Sequence, residues 1–229
     1  VGTVFKDTFT GSGPVLARLP DTVGADPWII GSSADTLKWT VAGGTANSLQ
    51  TAFSLASSIS PDKTFTDATV DIDFVLPSVD AALSALVNFS VYFRSANPTA
   101  GVGPSPYFRI SIVKSPPSTL TNSWVLAAGS TTAASGTLAW TSGAHNVKID
   151  VVGQQVTVTL DAIVLATYTF PVYHAITELN GILEDGYFAV AASATVNFVA
   201  TAVLVDTFTV TDFAPVLFWR NFHGQYETV

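Results

Sequence analysis

The chain contains no cysteine, which excludes disulfides and thiolate-based zinc or redox sites and leaves the redox compartment unwritten. Charge is scarce too. Only 11% of the 229 residues are charged against 48% hydrophobic, so the surface must be built largely from hydroxyls and small side chains. Basic residues are the scarcer sign: nine lysines and arginines stand against 17 acids, for a formal net charge of -8. The nine are scattered, not gathered into the basic patch that nucleic acid requires, so no nucleic-acid partner is expected. No glycine-rich phosphate loop is present. His145, His174 and His223 lack metal-ligand spacing, and Asp21, Asp26 and Asp35 form no calcium-loop pattern; neither metal nor cofactor is expected. One stretch, Gly186 to Val205, has the length of a membrane-spanning helix, but Asn197, the threonines and the β-branched residues make it read as two strands and a turn. Val1 to Lys6 hold no basic-then-apolar signal segment, although a mature chain would have lost one, and Val at position 1 fits removal of an initiator.

What is present is period-two alternation. Val70, Ile72 and Phe74 alternate with Asp71 and Asp73; Phe89, Val91 and Phe93 with Ser90, Tyr92 and Arg94; Phe108, Ile110 and Ile112 with Tyr107, Arg109 and Ser111. This pattern predicts antiparallel strands with one face in a core. Val147, Ile149 and Val151, a turn at Gly153-Gln154, and Val156, Val158 and Leu160 predict a hairpin. Further strands are expected around Leu37–Val41, Ser48–Leu55, from Trp124, over Ile163–Phe170 and from Gly186, with Gly129–Gly136 as a small-residue loop. Tyr173–Leu183 is the only helical turn the pattern offers. About a dozen short strands without an amphipathic helix predict an all-β, two-sheet antiparallel sandwich. Residues 1–213 are expected to form that single domain, which is large enough to hold a core without cross-links.

Asp-Thr-Phe-Thr occurs twice, at Asp7–Thr10 and Asp206–Thr209. Both copies stand in strand-like surroundings, near opposite ends of the regular sequence. Phe9 and Phe208 are therefore expected on adjacent antiparallel strands, so that the chain's ends meet.

The hairpin from His145 to Leu165, with Asp161-Ala162 at its second turn, and the pair Gly186–Val190 and Val205–Val210 resemble the concanavalin A-like lectin/glucanase jelly roll, in its laminin-G-like branch. Ala162 departs from the Asp-Gly turn of that family. The loop Leu16–Asp21 with Trp28 resembles a segment of laminin-G-like domains in bacteriophage structural proteins. The resemblance covers nearly residues 5 to 213. It implies a jelly roll with neighbouring terminal strands, and leaves activity open because that fold hosts lectins, hydrolases, lyases and structural modules.

Glycoside hydrolysis needs two carboxyl groups roughly 5 to 10 Å apart. The related glucanases carry Glu-x-Asp-x-x-Glu on one strand, whereas Glu178, Glu184 and Glu227 fit no such pattern. Asp71-x-Asp73 is the nearest substitute, with Leu76 where a third acid would fall. If the three alternating strands are neighbours, Asp71, Asp73, Tyr92, Arg94, Tyr107 and Arg109 share one polar face. Such a face offers acids and guanidinium forks for hydroxyls and aromatics for sugar rings. The same residues could instead make cross-strand contacts of about 0.2–1 kcal/mol each that only stabilise the sheet. Arg18 and Trp28 read either as a contact to another subunit or as a loop anchor, with Arg18 paired to an acid such as Asp21.

Residues 214–229 form an aromatic-rich tail. Leu217, Phe218, Trp219, Phe222 and Tyr226 need a cover, either the sandwich itself or a neighbouring protomer. With the loop that resembles phage domains, this tail leads to the expectation of a non-enzymatic structural or decoration protein of a bacteriophage virion. Its partners would be other virion proteins or copies of itself, with cell-surface glycans as a further ligand. A secreted or surface carbohydrate-binding module is the alternative, and a glycoside hydrolase or polysaccharide lyase the third class.

Overall fold

The computed structural model describes residues 2–30, 39–48, 58–79, 84–96, 106–114, 121–129, 131–138, 142–171, 181–196, 199–213, 219–220 and 226–227. In chain order the strands are β1 (Gly2–Asp7), β2 (Gly13–Pro14), β3 (Trp28–Ile30), β4 (Trp39–Ala42), β5 (Thr45–Ser48), β6 (Ser58–Pro61) and β7 (Thr64–Phe65). Next come β8 (Ala68–Leu76), β9 (Ala85–Ser95), β10 (Pro106–Lys114), β11 (Thr121–Ala128), β12 (Thr131–Thr137), β13 (Gly143–Val152) and β14 (Gln155–Leu160). The last six are β15 (Ile163–Thr169), β16 (Gly186–Val196), β17 (Val199–Ala200), β18 (Val203–Asp212), β19 (Trp219–Arg220) and β20 (Tyr226–Glu227). No helix occurs among the described residues, and none is long and apolar enough to cross a membrane.

The strands form two antiparallel sheets. Sheet I runs β15-β14-β13-β8-β18-β5-β4-β2, with β1 also on β18; sheet II runs β12-β11-β10-β9-β16-β6-β3, with β7 and β17 on β16. The inward positions predicted by alternation are buried without exception: Val70, Ile72 and Phe74 from β8, Phe89, Val91 and Phe93 from β9, Phe108, Ile110 and Ile112 from β10, and both apolar rows of the β13–β14 hairpin. They meet between the sheets, where Phe74 of sheet I stacks on Phe89 of sheet II with centroids 4.0 Å apart and planes 4° from parallel. Removing either ring would cost about 3–5 kcal/mol through lost burial and the cavity left behind.

The ends do meet. β1 lies antiparallel on β18, with Lys6 opposite Thr209 and Asp7 opposite Phe208. Phe9 itself falls just past β1, with φ of 53°, so the expected Phe9–Phe208 strand pairing is corrected. Trp28 stands between the two rings instead, its centroid 5.4 Å from Phe9 and 5.1 Å from Phe208.

Three local expectations also shift. Gly43 and Gly44, with φ of 64° and 81°, make a two-residue loop that joins β4 directly to β5, so the second strand begins at Thr45 rather than Ser48. Most of the expected Ser48–Leu55 strand and of the Tyr173–Leu183 turn lie outside the described residues. The small residues after Gly129 form β12 on the edge of sheet II. Gly136 among them has no room for a side chain, because Trp124 packs on it: a Cβ there would stand 2.7 Å from its Nε1.

Beyond the sandwich, β19 and β20 pair with each other, Trp219 opposite Glu227 and Arg220 opposite Tyr226. Leu217, Phe218 and Phe222 of the expected partner-binding tail lie outside the described residues.

Candidate functional site

Alternation that sends one row of each strand into the core sends the other row outward, and cross-strand register then sets which outward side chains touch. On sheet II this produces three rungs. Ala189, Tyr92, Tyr107 and Ala127 form the first; Ala191, Ser90, Arg109 and Val125 the second; Ser193, Asn88, Ser111 and Ser123 the third. Tyr92 and Tyr107 contact each other with centroids 5.6 Å apart. Together with Ala189 and Ala191 they form an apolar cluster separate from the core. Arg109 lies over the Tyr107 ring, its Cζ 4.7 Å from the centroid, and its Nε donates to Ser90 Oγ at 3.2 Å. Ser111 Oγ donates to Asn88 Oδ1 at 2.8 Å. Burial raises the Tyr92 phenol above its ordinary range, partly offset by the Arg109 charge, so the hydroxyl is a neutral hydrogen-bonding group at any physiological pH. Aromatic rings, a guanidinium and amide and hydroxyl groups within one patch are the chemistry of saccharide recognition.

The six residues expected on a single face do not share one. Consecutive strands β8 and β9 go to different sheets. Asp71 and Asp73 therefore lie on the outer face of sheet I, while Tyr92, Tyr107 and Arg109 lie together on that of sheet II. Arg94 is on neither, being only 3% exposed. Its φ of 45° turns the side chain onto the end of the sandwich, where it donates to Thr66 O, Gly153 O, Leu183 O and Asp67 Oδ1 at 2.6–3.1 Å. That cluster ties β9 of sheet II to the β13–β14 turn of sheet I. Gly186 is needed beside it, because a Cβ there would come within 2.7 Å of Arg94 Cα.

The outer face of sheet I is charged and rich in threonine. Lys6, Thr209, Asp71 and Lys148 form one rung and Thr207, Asp73 and Asn146 the next; they line a shallow cleft of about 550 Å³. Asn146 Nδ2 donates to Asp71 Oδ1 at 2.7 Å and to Asp73 Oδ1 at 2.9 Å. A second cleft of about 420 Å³ is lined by Asp73, His145, Asp161 and Asp206. His145 Nδ1 lies 2.8 Å from Asp161 Oδ2. Burial, reinforced by the charge of Asp73, raises the Asp206 carboxyl above the usual carboxylate range. Sequence reasoning missed Asp206 as a site residue, because its strand context matches that of Asp7 and only long-range pairing brings Asp73 to it. No group of three or more potential metal ligands occurs among the described residues.

Arg18 and Trp28 are loop anchors. Asp7, fully buried, accepts from Arg18 Nη2 at 3.1 Å, from Arg18 Nε at 3.2 Å and from Trp28 Nε1 at 2.6 Å. Arg18 also reaches Asp21 at 3.3 Å. Asp21 in turn accepts from the backbone N–H and the hydroxyl of both Thr8 and Thr10. Burial opposes its charge, yet these hydrogen bonds outweigh burial and hold the carboxyl well below the usual range.

No protein-family model and no curated protein matches the sequence. Solved structures do match. The chain is similar to a laminarinase from Flavobacterium sp. UMI-01, at 12% identity over 92% of this chain and 100% of that one, with a TM-score of 0.57. It is similar to the endo-β-1,3-glucanase of Pyrococcus furiosus, at 12% identity over 93% and 94% with a TM-score of 0.56. A pseudo β-1,3-glucanase of Mycobacterium tuberculosis, described as an immunostimulatory antigen, matches at 12% identity over 93% and 100%, also with a TM-score of 0.56. The fold is thus a concanavalin A-like jelly-roll sandwich, as the hairpin and closing strands implied. The functional expectation is corrected. These three structures are of glucanases or a glucanase-like protein, so the reading as a phage structural protein is withdrawn. The expectation of no enzymatic activity is withdrawn on the same finding.

Proposed function

We propose that the protein is a carbohydrate-binding jelly roll that engages a polysaccharide on the outer face of sheet II. The observation that carries this reading is the cluster of Tyr92, Tyr107 and Arg109, two phenols in contact and a guanidinium stacked on one of them, on a fold whose structural relatives include β-1,3-glucanases. Tyr107 is half-buried, held by Tyr92 and Arg109 and still accessible in part to a ligand. Calorimetry against a polysaccharide panel that includes laminarin tests the assignment. Tyr107→Ala should weaken binding at least about tenfold, equivalent to about 1.4 kcal/mol; unchanged binding in that variant would move the site elsewhere.

A second reading, hydrolysis, is favoured by Asp73 and Asp206. Glycoside hydrolysis uses one carboxyl group that keeps its proton and a second carboxylate beside it. Here burial raises the Asp206 carboxyl, and Asp73, exposed, lines the same cleft. Reducing-sugar release from laminarin, abolished in Asp206→Asn and in Asp73→Asn, would support it. Wild-type protein that releases none from the panel removes it.

A further inference from the structure

Arg109 differs from the other arginines whose side chains are described. Arg18 is paired with Asp7 and Asp21, and Arg94 with Asp67. No carboxylate pairs with Arg109 among the described residues, although acids outnumber bases 17 to nine. Its neighbours along and across the three rungs are alanine, serine, asparagine, valine and tyrosine, all uncharged. The guanidinium is nonetheless held in place. The Nε–H is committed to Ser90 and one face to Tyr107, and the side chain also hydrogen-bonds the Tyr92 hydroxyl, which fixes the guanidinium in place with N–H groups left over and no acid on them. A half-buried, oriented and uncompensated guanidinium is the arrangement that takes a planar or tetrahedral oxyanion through two parallel hydrogen bonds. The contrast with sheet I is electrostatic. Four acids, Asp71, Asp73, Asp150 and Asp206, lie on or beside its outer face against two lysines, Lys6 and Lys148, so its balance disfavours an anion, as does the net charge of -8 in general.

We infer that the polysaccharide bound on sheet II is anionic, with its uronate carboxylate or sulfate ester on Arg109 and its sugar ring on Tyr107. This rests on the carbohydrate-binding reading above and narrows it, because laminarin is neutral.

Calorimetry with three probes tests it: laminarin, polygalacturonate and carrageenan, each against wild type, Arg109→Gln and Arg109→Lys, at low and high ionic strength. Wild type should bind at least one of the two anionic polymers about tenfold or more tighter than laminarin, and the preference should shrink with salt. Arg109→Gln should abolish the preference, and Arg109→Lys should restore only part of it because an ammonium lacks the fork. Preference for polygalacturonate assigns the carboxylate and preference for carrageenan the sulfate. Laminarin bound as tightly as both anionic polymers overturns the inference and leaves the carbohydrate-binding reading standing. Binding to none of the three overturns both. The wild-type comparison decides the matter even if a variant fails to fold.

Discussion

The same four residues, Asp-Thr-Phe-Thr, do opposite things in their two copies, which lie side by side where β1 pairs with β18. In the first copy Asp7 is fully buried and accepts from Phe9 N, Arg18 and Trp28, while Thr8 and Thr10 close on Asp21. In the second copy Asp206 sits at a bulge in β18 facing another acid, and Thr207 and Thr209 line an open cleft. Only the phenylalanines behave alike, both fully buried against Trp28. The residues that differ lie outside the motif: Arg18 and Asp21 follow the first copy within a short loop and close on it, whereas among the described residues no arginine pairs with Asp206. A short motif therefore specifies a burial pattern, and its polar chemistry depends on which partners the loops deliver.

The comparison predicts a graded set of outcomes. Asp7→Ala leaves Arg18 Nε and the Trp28 N–H without their acceptor and removes the buried partner of the Arg18 charge, and should cost about 3–5 kcal/mol in urea denaturation. Asp206→Ala should change stability by no more than about 0.5 kcal/mol; equal losses would erase the distinction. Phe9→Ala and Phe208→Ala, by contrast, should each cost about 3–5 kcal/mol, and a large gap between them would show that the shared half of the motif is not shared. Thr10→Val should cost about 1 kcal/mol through the lost Asp21 hydrogen bond, against less than about 0.5 kcal/mol for Thr209→Val.

The smallest effect concerns pH, and the two sites have opposite signs. Asp21 is held low, so its contribution is complete above the ordinary aspartate value of about 4 and is lost as pH falls below it. Asp206 is raised, so the fold favours its protonated form; stability from this group is complete below about 4 and is lost as pH rises through the raised value. Melting temperature against pH should show a flattened acid limb in Asp21→Asn. In Asp206→Asn the decline toward neutrality should disappear.

What was legible in the sequence was whatever is local. The β13–β14 hairpin follows from period two and a turn at Gly153, and its two strands pair across that turn, Val152 opposite Gln155. The inward rows of β8, β9 and β10 follow from the same alternation. The assignment of strands to sheets did not follow. β8 finds its partners in β13 and β18, as in the contact of Asn146 with Asp71 across 75 positions, while its sequence neighbour β9 crosses to the other sheet. Alternation is identical in both sheets, so Asp71 and Asp73 could not be separated from Tyr92 and Tyr107 by pattern alone. Arg94 escaped for a different reason: its positive φ breaks the alternation at that residue, and a non-glycine residue in that region is held there by its surroundings rather than by its own preference. The Arg18–Asp21 pairing of the loop was readable because the two stand three positions apart, whereas the buried acceptor Asp7, 21 positions before Trp28, was not.

That nearness bears on the order in which the molecule assembles. β1 pairs with β18, a contact spanning almost the whole described chain, and contacts of such separation form slowly. The Asp7, Arg18 and Trp28 cluster and the bond from Lys6 N to Val23 O need only a short loop to close. They can hold β1 in an extended shape long before its partner strand arrives, so the final zippering of sheet I meets a ready edge instead of a wandering terminus.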